Sequence, residues 1–189
     1  MDQEIMRRIV RKIGIVMVLF CLIVMSMAGC KKGEMKEENQ EVDKFFYSKL
    51  PKTNQKVSEE EEKKIKKGIE NWAKTVLLAD SSVGKQNQKL IEKSFYQSIA
   101  DEKQREKVKK DRDKFYKGND VKVQSAEAKI ENAYATEYDG KSIGDVTCDV
   151  VIKGKKDGKP FSRTYHLKLA VSYVNEVVSV YEVGSISWK

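Results

Sequence analysis

The side chains able to do covalent or metal chemistry are few: Cys21, Cys30, Cys148 and a single histidine, His166. Three cysteines and one histidine argue against a Cys/His zinc module, and one histidine excludes a two-histidine metal centre. A protein metal site would have to be all carboxylate, and no acidic cluster stands at calcium-loop spacing. The chain has no Gly-rich phosphate loop, no HExxH and no CxxC. His166 shares its side of an alternating run with Ser162, Thr164 and Lys168, so it is expected on a solvated face. Cys148 falls between Val146 and Val150 on the apolar side of its run, where a thiol behaves as a small hydrophobe. Asp149 then points to the opposite face. These residues predict no catalytic centre, and no metal or cofactor is expected.

Cys30 has a different setting. Arg7, Arg8, Arg11 and Lys12 form a basic start, and Ile13 to Ala28 then runs without a charge. A bilayer-spanning helix needs about 20 apolar residues. The run is shorter than that and suits the h-region of a secretory signal peptide. It ends in Met27-Ala28-Gly29-Cys30. Small residues before a cysteine, directly after an h-region, resemble the lipobox of bacterial lipoproteins. Met27 stands where that family most often has Leu. The resemblance implies a diacylglyceryl group on the Cys30 thiol and cleavage between Gly29 and Cys30. Acyl chains contribute about 0.8 kcal/mol per buried CH₂, which suffices for stable anchoring when two are present. The expected location is the extracytoplasmic face of the cell membrane. With Cys21 removed and Cys30 modified, Cys148 is left as a free thiol, so the fold must rest on an ordinary core. Lysine strongly outnumbers arginine, a bias of AT-rich coding that fits a low-GC Gram-positive source.

The formal net charge is +8, from 37 Lys+Arg against 29 Asp+Glu. Beyond residue 29 the basic excess lies in residues 31–119, whereas residues 120–189 are balanced. Outside a membrane such a surface meets anionic lipid or anionic wall polymer within a Debye length. Extracytoplasmic placement and the lack of interleaved aromatics argue against nucleic acid.

Three stretches follow from the patterning: residues 1–29 as signal peptide, 30–57 as lipidated cysteine and flexible tether, and 58–189 as one folded domain. Residues 31–43 are polar, with no apolar cluster to offset their ordering entropy. Phe45-Phe46-Tyr47 interrupts the tether and is expected to dock on the domain. Ser58-Glu59-Glu60-Glu61 is a capping box. Behind it Ile65, Ile69, Trp72, Ala73, Val76 and Leu77 form one helical stripe, ended by Asp80 to Gly84. A second helix is predicted over 87–99, burying Leu90, Ile91 and Phe95, and a third over 101–117 with a thin stripe of Val108, Phe115 and Tyr116.

After Asn119 the period changes from 3.6 to 2. Val121 and Val123 alternate, and the phase then shifts at Ser125-Ala126, the mark of a β-bulge. Ala126, Ala128, Ile130, Tyr134 and Tyr138 continue on even numbers. Asp139-Gly140-Lys141 reads as a turn, Gly154 to Gly158 as a hairpin loop, and Val174-Asn175-Glu176 as a third turn. The last run, Val177 to Trp188, has apolar residues on both faces.

The predicted class is therefore α+β, with N-terminal helices packed on a curved antiparallel four-stranded sheet. By element order over residues 58–189 the chain resembles the NTF2-like, or cystatin-like, superfamily. The resemblance implies a sheet wrapped on the first helix, whose helix-facing side can enclose a pocket. The candidate pocket-lining residues are Trp72, Tyr134, Tyr165 and Tyr181. By its stripe Trp72 is expected to pack against Tyr165, Leu167 and Leu169. The expected function is non-enzymatic: a membrane-anchored interaction or assembly module of the cell envelope with a protein partner. Its relatives by resemblance include parts of conjugation-type machinery. The alternative is a small-ligand-binding lipoprotein that uses the pocket.

Overall fold

The computed structural model describes residues 49–174 and 177–189. The signal-peptide stretch, Cys30, the tether to Asp43 and Phe45-Phe46-Tyr47 lie outside the described residues, as does Asn175-Glu176 of the last turn.

Helix α1, Glu59–Trp72, starts where its local chemistry dictates. The Ser58 backbone N–H donates to Glu61 Oε2 at 2.8 Å, and Ser58 Oγ accepts from the Glu61 N–H at 3.3 Å. The Ser58 N–H, together with the Ser58 hydroxyl donating to Glu61 Oε2 at 2.8 Å, holds the Glu61 carboxyl below its usual range. Ile65 and Ile69 are fully buried. The expected stripe is broken, however, by a π-helical turn over Ala73–Leu77, closed by Leu78 N–H to Ala73 O at 3.0 Å. The extra residue rotates the chain so that Leu77, Leu78 and Ala79 are all buried.

Helix α2 spans Lys85–Ser98 and α3 spans Glu102–Tyr116, capped by Asp101 Oδ1 accepting from Gln104 N–H at 2.7 Å. In α2 only part of the expected stripe is covered. Phe95 is buried and Ile91 half-buried, but Leu90 is 62% exposed. The buried residue unforeseen in α3 is Arg112. It donates to the carbonyls of Val76 and Leu77, closing the end of the π-turn. The Phe95 and Tyr116 rings lie 5.2 and 5.3 Å from its guanidinium carbon.

Four antiparallel strands follow in the order β1-β2-β3-β4: Val121–Tyr138, Lys141–Lys156, Lys159–Val174 and Val177–Trp188. Asp139-Gly140 and Asp157-Gly158 are two-residue turns with positive φ throughout, which fits the right-handed strand twist. Gly154 to Lys156, expected in the loop, thus belong to β2. In β1 the expected bulge falls at Gln124. A second, at Glu131, was not foreseen; it brings Ala133 to the core side and turns Tyr134 away. In β4, Tyr181 and Gly184 are both extra residues against β3. Each resets the alternation, so Val178, Val180, Val183, Ile186 and Trp188 share one face rather than two.

That face meets Tyr165, Leu167, Leu169, Val171, Val146, Cys148, Val150 and Ile152 under the helices. Helix α1 touches β1 and β4, the two outer strands, so the sheet curls around it. The fold is α+β as expected, with three helices among the described residues on a curved antiparallel sheet. The stretch before α1, read from sequence as the end of the tether, lies along β1. Ala135 N–H donates to Gln55 O at 2.7 Å and Val57 N–H to Ala133 O at 3.1 Å. Leu50 crosses to the other face and packs with Ile143, Ala170 and Tyr138.

Candidate functional site

Helices α1 and α2 diverge over the outer strand β4 and leave an open cleft of about 630 Å³. Its apolar floor is Trp72, Val76, Phe95, Val178 and Val180. Its rim is polar: Asn71, Thr75, Ser94 and Ser98, with Lys64 and Lys67 as its charged residues. Each wall follows from the sequence locally. The π-turn directs Val76 outward while burying Leu77. Gly68 lets α1 settle on β4, since a Cβ there would lie 2.2 Å from Val178 Cγ1. Phe95 fixes α2 by meeting the Trp72 ring edge to face, with centroids 6.0 Å apart.

Of the four candidate pocket residues, the structure places one at this cleft. Trp72 is half-buried there, against Phe95 and β4. Tyr165 is 3% exposed inside the core, next to Trp188, and burial pushes its hydroxyl up to about 12. Tyr134 is on the outer face because of the Glu131 bulge, and its hydroxyl is 3.4 Å from Asn132 Oδ1. Tyr181 is itself a bulge residue and is exposed, beside Lys141. The four do not converge.

The reactive side chains are equally dispersed. Cys148 is buried on the core face, and desolvation, with the Asp149 and Glu131 carboxylates adding to it, pushes its thiol up to about 12. A thiol held neutral is neither nucleophile nor ligand. Asp149 is on the opposite face, as expected, but His166 is not a solitary surface residue. Its Nδ1 lies 2.5 Å from Asp149 Oδ1 across the β2–β3 pair. Ser187 stands opposite His166 in β4, making a Ser-His-Asp row on the outer face. Among the described residues no hydrogen bond joins Ser187 to His166, so the nucleophile–base contact is not made. The string Gly140-Lys141-Ser142-Ile143-Gly144 has the Gly-x-Ser-x-Gly spacing of a nucleophile elbow. It occupies the β1–β2 hairpin rather than a strand–turn–helix, so its serine is a strand residue opposite Glu137. Among the described residues no group of three His, Cys, Asp or Glu is placed to hold a metal, and no helix is long and apolar enough to cross a membrane.

No protein-family model, no curated protein and no solved structure matches the chain.

Proposed function

We propose that this chain is an extracytoplasmic lipoprotein, held on the cell membrane by a lipidated Cys30. Its NTF2-like domain serves as a non-enzymatic interaction module of the cell envelope. The observation that carries the reading is where the open surface lies. The space between helices and sheet is filled by side chains such as Ile65, Ile69, Leu77, Phe95, Ile152 and Leu167. The open feature with an apolar floor is the cleft at the sheet's edge, with lysines on its rim; a second hollow of about 610 Å³ beside the segment before α1 is lined mainly by polar residues such as Thr53, Gln55, Glu61 and Glu137. The reactive groups Cys148 and His166 stand apart from it. An exposed apolar surface rimmed by polar groups is the mark of a contact site. The NTF2-like assignment draws on the meander order and on α1 held in the curve of the sheet. A link to conjugation-type assemblies belongs to the same proposal and rests on resemblance alone.

The small-ligand alternative draws on one observation: the cleft volume falls in the roughly 300–1,000 Å³ range of ligand pockets. Cross-linking on intact cells separates the two. A photo-reactive phenylalanine analogue at Leu90, on the exposed side of α2, should yield a discrete protein adduct in the membrane fraction. If the protein stays uncross-linked while ligand-dependent melting shifts appear with envelope small molecules, the module reading fails.

A further inference from the structure

The cleft opens onto a sheet edge of a particular kind. β4 is the last strand, and among the described residues its outer edge is used at Val183 and at Ile186, whose N–H donates to Gln104 Oε1 at 2.9 Å. Ile99 bridges to Val183 in parallel, with Ala100 N–H donating to Val183 O at 3.3 Å. The preceding run, Val177 to Val180, pairs on that edge with no strand among the described residues. Its sequence is Val-Val-Ser-Val, without the Lys, Pro or inward charge that usually protects an edge strand. Val177 is 66% exposed. The side chains of Val178 and Val180 are the cleft floor itself. A chain laid along this edge would therefore carry alternate side chains straight onto Trp72 and Phe95.

Charge selects the partner. Among the described residues the charged groups lining the cleft are Lys64 and Lys67, and no carboxylate lines it. Lys64 Nζ meets Glu60 at 2.9 Å, and Lys67 adds a second cation to the rim. Two copies paired edge to edge would bring like rims together, whereas an acidic segment would be attracted.

We propose, resting on the interaction-module reading, that β4 binds an extended acidic peptide segment of a partner protein by strand addition. Main-chain bonds form along Val177–Val180. One large apolar side chain enters the cleft over Trp72 and Phe95. Acidic residues two positions to either side, on the same face of the added strand, meet Lys64 and Lys67. Strand addition supplies affinity through the backbone and specificity through alternate side chains.

The test uses the full-length protein in detergent micelles and a blocked, fluorescein-labelled peptide, Thr-Glu-Val-Phe-Val-Glu-Thr. Anisotropy should show saturable binding, weakened at least tenfold when both Glu are replaced by Lys. Trp72→Ala should weaken it at least tenfold. Lys67→Glu, a rim change that leaves the core untouched, should do so independently of any effect on folding. Bound peptide should slow deuterium exchange at the Val177–Val180 amides. Equal binding of the Lys peptide, no binding at all, or unchanged exchange at those amides would overturn the proposal. So would a dimer in sedimentation that Lys67→Glu strengthens, which would assign the edge to a second copy. Any of these alongside a discrete adduct from Leu90 would remove the β4 site and leave the module reading standing.

Discussion

Gly68 of α1 lies directly on Val178 of β4, so close that a Cβ at position 68 would sit 2.2 Å from Val178 Cγ1. This contact sets how far the helix sinks toward the sheet edge, and so how the cleft is walled. In an exposed helix Gly→Ala gains about 0.5–1 kcal/mol. Here overpacking reverses the sign, and Gly68→Ala should destabilise by about 1–3 kcal/mol. Urea midpoints give the value. The double variant Gly68→Ala, Val178→Ala should recover part of the loss, as contacting residues couple. Additive losses would mean that the two do not touch.

Arg112 closes the π-turn by donating to Val76 O and Leu77 O from a buried position. Arg112→Ala leaves carbonyls without donors inside the core, at a cost of about 1–3 kcal/mol for each. Arg112→Lys should rescue little, because an ammonium cannot reproduce the planar fork between Phe95 and Tyr116. Chemical denaturation checks the magnitude. Faster amide exchange at Leu78, which bonds to Ala73 O, would localise it.

Alkaline pH should unfold the domain from within. Burial raises the Cys148 thiol from 9.0 to about 12 and the Tyr165 hydroxyl from 10.0 to about 12. The half-buried Tyr116 hydroxyl, which donates to Ala79 O at 2.6 Å, is raised as well by desolvation. All three shifts are upward, so the unfolded chain releases these protons first. Stability is then complete below the unfolded values and declines as pH rises from about 9 towards 12. Urea midpoints measured across that range should fall, and Cys148 should react with a thiol reagent only as unfolding proceeds. A Cys148 modified quickly in the folded protein at pH 8 would contradict the burial.

Trp72 is half-buried at the cleft, and its truncation should cost less than the about 3–5 kcal/mol of a wholly buried aromatic. Trp72→Ala is expected to stay folded, with a loss of about 1–2 kcal/mol scaled from that figure by its partial exposure. In a Trp188→Phe background its fluorescence should be open to an added quencher. A blue-shifted, protected emission would return Trp72 to the core, where its stripe alone would put it.

What the sequence made legible was local. The Ser58–Glu61 capping box, the Asp139-Gly140 turn and the first bulge of β1 each rest on a few neighbouring residues, and each is present. The bulge at Glu131 was hidden because Ala133 and Tyr134, directly after the phase change, suit either face. Leu90 shows the limit of periodicity: a stripe marks the apolar side of a helix but not how much of it finds a partner. Arg112 and the Asp149–His166 pair depend on contacts between elements far apart in sequence, and therefore on register and packing. The cleft belongs to this second kind, since it exists only where α1, α2 and β4 fail to close on one another.

The mass of the mature N-terminus, taken from protein extracted with native membranes, tests the central claim most directly. A lipid-anchored module must begin at Cys30 and carry a diacylglyceryl group on that residue. The account predicts an N-terminal peptide of that composition, and a shift of Cys30→Ser protein out of the processed membrane form. A mature chain that starts at any other residue, or one that keeps residues 1–29 and an unmodified Cys30, would contradict it.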